Sequence, residues 1–149
     1  MNLSNTPTSH DAPLKVLLVE DSALLRHRIE ETVADDTSIS IIGFAEGEDE
    51  ALQKILQLLP DVVVLDFRLN QGDGLSMLRR LREVHSDTAL KIVLFTNYRT
   101  QEILDIAEKY AVDLVLDKHF EFGQLPIALC LIAQSRRGAF MAADAAVLQ

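Results

Sequence analysis

The sequence has a single cysteine and no apolar run long enough to cross a membrane. Because Cys130 is its only cysteine, an internal disulfide is impossible and a reducing compartment is expected. No apolar run approaches the about 18 residues that a membrane helix requires. The first thirteen residues also lack the basic and apolar regions of a secretory signal peptide. We therefore expect a cytoplasmic protein with a disordered leader at residues 1–13.

Basic residues are scarce as well. Lys and Arg number 14 against 23 Asp and Glu, which gives a formal net charge of −9. A protein that binds nucleic acid directly needs a basic face, so this class of partner is not expected. The length of 149 residues fits one domain. We place that domain at residues 14–135 and interpret residues 136–149 as a C-terminal tail or a short extra helix.

Short apolar runs alternate with longer segments of helical period. The predicted strands are residues 15–19, 40–45, 62–66, 91–96 and 113–118. In the second predicted helix, one face carries Leu52, Ile55, Leu56 and Leu59. The third shows Arg79, Arg80 and Arg82, which we interpret as a solvated face. Strict alternation predicts a doubly wound α/β fold with five parallel strands and helices on both faces.

Polar side chains stand at the carboxyl ends of four of these strands: Glu20, Asp21, Asp66, Thr96 and Lys118. Ligands of open α/β sheets bind at this edge, where the strand order reverses. With the strand order 2-1-3-4-5, three carboxylates would converge there. Such a cluster is costly unless a cation compensates its charge, and Mg²⁺ prefers oxygen ligands. The pattern therefore predicts a phosphoryl-transfer site with Asp66 as the nucleophile, assisted by Thr96 and Lys118.

Four segments in this order resemble the receiver domain of two-component response regulators: LLVEDS, VVVLDFRLNQGDG, IVLFTN and LVLDKHF. The resemblance runs from about residue 15 to residue 134 and implies a flavodoxin-like fold. It implies that Asp66 is the phosphoacceptor, Thr96 the switch hydroxyl and Lys118 a contact of the phosphoryl group. The implied magnesium ligands are Glu20, Asp21, Asp66 and the backbone carbonyl of Arg68.

The resemblance also implies partners. The phosphoryl donor would be a sensor histidine kinase or a histidine phosphotransfer protein, and phosphorylation would change binding to a downstream protein. On this interpretation the chain is a single-domain response regulator in two-component signalling and not an enzyme.

The sequence departs from the family pattern beside the site. His119 follows Lys118 where the family usually has proline, and Val115 stands where many relatives have an aromatic residue. Asn97 is larger than the small residue that usually follows the threonine. Arg68 and Tyr98 occupy positions where relatives tune hydrolysis of the acyl phosphate, and we predict that their bulk slows this hydrolysis.

Two other functions stay open. These departures are compatible with a pseudo-receiver, an interaction module that acts without phosphorylation. A phosphatase of the haloacid dehalogenase type would also use an aspartate nucleophile, but it needs a second acid where Arg68 stands. Asp21 or Ser22 could also serve only as a helix cap, and Asp66 only as a turn residue. Finally, the last helix is apolar on more than one face, so either the C-terminal tail or another subunit should cover it, and we favour a homodimer through this helix.

Overall fold

The computed structural model describes residues 12–84 and 89–147, with side chains described as far as residue 136. Strands and helices alternate strictly along this part of the chain: β1 (Leu14–Val19), α1 (Ala23–Val33), β2 (Ile39–Ala45), α2 (Glu48–Leu58), β3 (Val62–Leu65), α3 (Gly74–Val84), β4 (Lys91–Thr96), α4 (Gln101–Lys109), β5 (Leu114–Asp117) and α5 (Gln124–Val147). Most of the predicted leader, residues 1–11, lies outside the described residues.

The five strands form one parallel sheet in the order β2-β1-β3-β4-β5. The predicted doubly wound, flavodoxin-like fold is therefore confirmed. In the central strands Val19 pairs with Leu65, and Leu65 pairs with Leu94. This register brings the ends of β1 and β3 to the same level, so the residues that follow them emerge side by side.

The sheet separates two apolar cores. Its strand residues at Leu17, Val63 and Leu65 face a cluster built with α2, α3 and α4. The alternate strand residues face a second cluster, in which Ile29 of α1 and Leu129 of α5 are buried. All four residues of β3 are buried, as expected for a central strand covered by helices on both sides.

The buried face of α2 differs from the predicted one. Leu52 and Ile55 are buried as predicted, but Leu56 and Leu59 are 57% and 60% exposed. Ala51 lies on the buried face instead, because α2 packs close to the sheet along the line of Ala51, Leu52 and Ile55. The backbone of Leu59 is left-handed, with φ of 49°, and ends the helix. The helical period alone did not locate the centre of the contact.

The last helix is longer than predicted. α5 runs without interruption from Gln124 to Val147, so most of the predicted tail continues this helix instead of forming a separate element. Leu125 and Leu129 face the sheet and are almost fully buried, whereas Ile127 and Leu131 are 55% and 58% exposed. Pro126 lies in the first turn, where a missing N–H breaks no helical hydrogen bond.

Candidate functional site

The carboxyl edge of the sheet positions the predicted acids. The backbone N–H of Asp66 donates to the carbonyl of Val19 over 2.9 Å, and that of Glu20 donates to the carbonyl of Ala45 over 2.9 Å. These two bonds continue the parallel ladders for one residue beyond β1 and β3. Glu20 and Asp66 are consequently held by strand geometry and not by a flexible turn.

Lys118 joins the two acids. Its Nζ lies 2.7 Å from Glu20 Oε2 and 2.8 Å from Asp66 Oδ2. All three side chains are largely withdrawn from solvent, being between 6% and 11% exposed. The Lys118 backbone N–H donates to the carbonyl of Thr96 over 2.9 Å, which ties the end of β5 to that of β4. One ammonium therefore serves two buried carboxylates.

This arrangement shifts the pKa values in a direction that favours a further cation. Burial raises the pKa of Glu20 to about 7, and the negative charge of Asp66 adds to the rise, although the hydrogen bond from Lys118 opposes it. Burial acts to lower the pKa of Lys118, but its hydrogen bonds to Asp66 and Glu20 outweigh that effect and raise it. Lys118 thus stays charged, while the site lacks enough positive charge to hold Glu20 firmly ionised.

The donor set fits a divalent metal with oxygen ligands. One carboxylate oxygen each from Glu20, Asp21 and Asp66 lies within 4.8 Å of the others. Mg²⁺ takes oxygen ligands and typically binds through one or two carboxylates, so Glu20, Asp21 and Asp66 are the residues that would hold it here. The acids share with Lys118 an open cleft of about 430 Å³, also lined by Arg28, Asn97 and His119.

Thr96 and Arg68 lie at neighbouring positions but are not among the residues that line this cleft. Thr96 is fully buried, and its hydroxyl oxygen accepts from the Tyr98 backbone N–H over 3.2 Å. The Arg68 N–H points to Asp66 Oδ1 at 3.4 Å, which keeps the loop backbone beside the carboxylate. The metal-binding role of the Arg68 carbonyl stays a prediction.

The departures from the family pattern lie within β5 and in the loops that follow β3, β4 and β5. The guanidinium carbon of Arg68 lies 4.1 Å from the centre of the Tyr98 ring, so the two bulky residues form a cation–π pair. Val115 is buried in the core beneath α4. His119 follows Lys118 through a trans peptide bond. Its N–H donates to Asp117 Oδ1 over 2.8 Å, which orders the turn after β5.

Arg26 is a site-supporting residue that the sequence reasoning missed. It is only 8% exposed, and its Nη1 donates to the carbonyl of Glu20 over 2.7 Å. Its Nη2 pairs with Glu46 at 3.1 Å. A signal was present, because Arg26 precedes Ile29 by three residues and Val33 by seven and so falls on the buried face of α1. A charged residue on a buried helical face needs partners, and here one of them is the backbone of a predicted metal ligand.

Another missed group connects α2 to α3. Glu48 is 4% exposed and pairs with Arg80 at 2.9 Å, and Arg80 also pairs with Asp49 at 2.7 Å. Arg82 donates to the carbonyls of Tyr110 and Ala111. The Arg79 guanidinium also interacts with the Tyr110 side chain, so all three arginines that we interpreted as a solvated face reach other elements. Their partners lie about 30 residues away, so no local pattern could have identified them.

Comparison with known proteins agrees with this architecture. The family model described as the response regulator receiver domain matches residues 16–129. The protein-glutamate methylesterase/protein-glutamine glutaminase 1 of Syntrophomonas wolfei is 38% identical over 104 residues, which is 68% of this chain and 29% of the relative. The corresponding protein of Carboxydothermus hydrogenoformans is also 38% identical, over 68% of this chain and 30% of the relative. The chain therefore spans less than a third of the length of these curated relatives.

Solved structures share the fold at lower identity. The receiver domain of the putative response regulator NarL from Mycobacterium tuberculosis has a TM-score of 0.72 and 22% identity, covering 82% of this chain and 97% of that one. The response regulator domain of Thermotoga maritima CheB has a TM-score of 0.70 and 20% identity, covering 85% and 97%. No helix among residues 12–84 and 89–147 has the length and apolar character of a membrane span. From the family match and the shared architecture, the chain belongs to the response regulator receiver domain family.

Proposed function

We propose that the chain accepts a phosphoryl group on Asp66 from a phosphohistidine donor. The observation that carries this proposal is the pair of short contacts from Lys118 to Glu20 and Asp66 in a cleft that also holds Asp21. A buried carboxylate flanked by an ammonium and two further acids suits an in-line attack on phosphorus when a cation is bound.

Each residue in or beside the cleft has its own part in the proposed chemistry. An oxygen of Asp66 forms a bond to phosphorus while the P–N bond of the donor breaks, and the donor imidazole leaves with the electron pair and takes up a proton. Bound Mg²⁺ would neutralise charge on the phosphoryl oxygens, with Glu20, Asp21, Asp66 and the Arg68 carbonyl as its protein ligands. Lys118 stabilises the same oxygens from the other side. We assign Thr96 to a hydroxyl contact with the product.

The test is phosphorylation of the chain with a small-molecule phosphodonor and Mg²⁺, followed by intact mass. We expect wild type to gain one phosphoryl group and Asp66→Asn to gain none. Asp61→Asn is a matched control, because Asp61 lies just before β3, at the opposite end of the strand. It should be phosphorylated like wild type. No added mass with any donor, including a histidine-phosphorylated protein, would contradict the proposal and favour the pseudo-receiver, for which Val115 and His119 are the supporting observations.

We further propose that the chain is not itself an enzyme and acts in the cytoplasm as a regulator. Arg68 supports the first point, because a haloacid dehalogenase-type phosphatase requires an acid at that position. Steady release of phosphate by wild type would contradict it. The phosphoryl donor of the chain would be a sensor histidine kinase or a histidine phosphotransfer protein, and its target would be a downstream protein. We propose no direct binding to nucleic acid. A homodimer through α5 is supported by the exposed Ile127 and Leu131.

A further inference from the structure

The loop of residues 67–73, here the acceptor loop, carries the predicted Arg68 ligand but is neither helix nor regular strand. Its far half is hydrogen-bonded to the segment that enters α2. Asn70 donates to the carbonyl of Glu46 over 3.3 Å, and Glu48 donates from its N–H to the carbonyl of Gln71 over 2.9 Å. The Asp49 backbone N–H donates to Gln71 Oε1 over 3.0 Å, and Gln71 Nε2 donates to Asp49 Oδ2 over 3.1 Å. The acceptor loop is therefore fastened at its two ends, by β3 and by α2.

Glu48 makes the most buried of these contacts. Its Oε1 accepts from Ser76 Oγ over 2.7 Å and from Arg80 Nη1 over 2.9 Å. Its Oε2 accepts from the Asp73 N–H over 3.4 Å. Both carboxylate oxygens thus accept from donors in α3 or from Asp73, which precedes α3. At 4% exposure, the side chain has little water to replace a lost partner.

The shape of the acceptor loop is fitted to this carboxylate. Gly72 has φ of +75°, and a Cβ there would overlap Glu48 Oε2. Gly74, the first residue of α3, leaves no room for a Cβ either, since one would lie 2.8 Å from Phe67 Cα and 3.1 Å from the Asp66 carbonyl oxygen. The first turn of α3, which Glu48 holds, accordingly rests on the backbone of the phosphoacceptor itself.

We propose that Glu48 is a positioning residue for the magnesium site, acting through the first turn of α3 on the Asp66–Arg68 backbone; the inference rests on the proposed function in that it takes this site to bind Mg²⁺. Glu48 does not contact the metal. It fixes the far end of the acceptor loop, so that Arg68 is held between that end and β3. Groups that orient metal ligands from outside the coordination sphere change metal affinity when they are removed.

The test follows Mg²⁺ binding to the full chain by ¹⁵N NMR without a phosphodonor. Glu48→Gln keeps the size of the side chain but turns an amide group toward donors that need an acceptor. We expect its half-saturating Mg²⁺ concentration to rise by about tenfold. We also expect the Arg68 and Asp73 amide signals to shift before any metal is added. A merely structural role would lower the melting temperature and leave half-saturation unchanged.

Glu50→Gln is the matched control. Glu50 lies in the same first turn of α2 and loses the same charge, but it pairs with Lys54 at 3.3 Å on the surface. Its half-saturating concentration should equal that of wild type. Ser76→Ala removes one donor to Glu48 and should shift half-saturation in the same direction as Glu48→Gln, by a smaller factor.

A folded Glu48→Gln variant whose half-saturation stays within about twofold of wild type overturns the inference, being far below the effect expected for a lost supporting contact. If Glu48→Gln does not fold, an unchanged half-saturating Mg²⁺ concentration in Ser76→Ala overturns the positioning role of Glu48. Absence of Mg²⁺ binding by wild type also overturns it. Wild type that binds Mg²⁺ but gains no phosphate contradicts the proposed function alone, and the NMR titration still decides the role of Glu48.

Discussion

Arg68, in the loop that follows Asp66, meets Tyr98, with 4.1 Å between the guanidinium carbon and the ring centre. If the pair restricts the approach of water, the Arg68→Ala, Tyr98→Ala double variant should lose its phosphoryl group faster than wild type. We expect the rate to rise by about two- to fivefold, which corresponds to a barrier lowered by about 0.5–1 kcal/mol. The measurement is the decay of phosphorylated protein by intact mass.

Arg99→Ala serves as a control for this comparison. Arg99 follows Tyr98 directly but pairs with Glu121 at 3.6 Å, so its removal should leave the decay unchanged. Slower decay of the double variant than of wild type would show that the pair promotes hydrolysis, contrary to our prediction.

The ionisation of Glu48 predicts a pH-dependent contribution to stability. Burial acts to raise its pKa, but hydrogen bonds from Arg80 and Ser76 outweigh this and lower it from the ordinary 4.5. Because the folded pKa is depressed, the stabilisation is present above the unfolded value and is lost as pH falls through the folded one. We expect Glu48→Gln to lower the free energy of unfolding by about 1.5–3 kcal/mol at neutral pH.

Urea unfolding at neutral pH and at successive pH values below 4.5 checks this expectation. The difference between wild type and Glu48→Gln should shrink as the pH falls, because both side chains are then uncharged. A difference that grows on acidification would contradict the assignment of Glu48 as a buried, ionised acceptor.

At the residue scale, the sequence was informative wherever a side chain follows a strand. Glu20, Asp21, Asp66 and Lys118 could be grouped because parallel strands end at one edge, so position along the chain translates directly into position in space. Glu48 and Arg80 could not, since their contact depends on how α2 and α3 pack. Neither residue lies at a strand end.

Among the elements, α2 offers a direct comparison of the predicted and observed faces. Ile55 is 1% exposed and Leu56 is 57% exposed, although the helical period placed both on one apolar face. We expect Ile55→Ala to lower the free energy of unfolding by about 2–5 kcal/mol, because it leaves a cavity in the core. Leu56→Ala should change it by no more than about 0.5 kcal/mol.

Chemical denaturation of the two variants makes the comparison, and each is the other's matched control. Equal destabilisation by the two substitutions would support the sequence prediction that Ile55 and Leu56 share one buried face, and it would contradict the observed packing. The elements themselves were predictable because continuous apolar runs mark strands buried on both faces. The centre of the contact of α2 was not, since the buried line of this helix runs through the small Ala51 and away from Leu56.

At the scale of the whole molecule, α5 predicts association. Ile127 and Leu131 lie one turn apart and are more than half exposed, on the side of the helix away from the buried Leu125 and Leu129. We expect wild type to form dimers at high concentration and Ile127→Glu, Leu131→Glu to remain monomeric. Analytical ultracentrifugation gives the answer, with thermal unfolding to verify that both proteins are folded.

Leu56→Glu is a suitable control for dimerisation, because it places one such charge at an equally exposed leucine on α2. It should sediment like wild type. A wild type that stays monomeric at every concentration would contradict a dimer interface on α5.

Arg136 gives the domain a further property. Its Nη2 donates to the carbonyl of Ala12 over 2.6 Å and its Nη1 bonds to Asp61 over 2.9 Å, at the edge of the sheet opposite the acids. The entry to β1 and the middle of α5 therefore meet at one point. A short peptide could therefore link residue 136 to residue 12. A circularly permuted domain made in this way, with its new ends in a surface loop, would keep every strand pairing. Fluorophores attached near residues 12 and 136 would stay close to each other, at the edge of the sheet opposite Asp66.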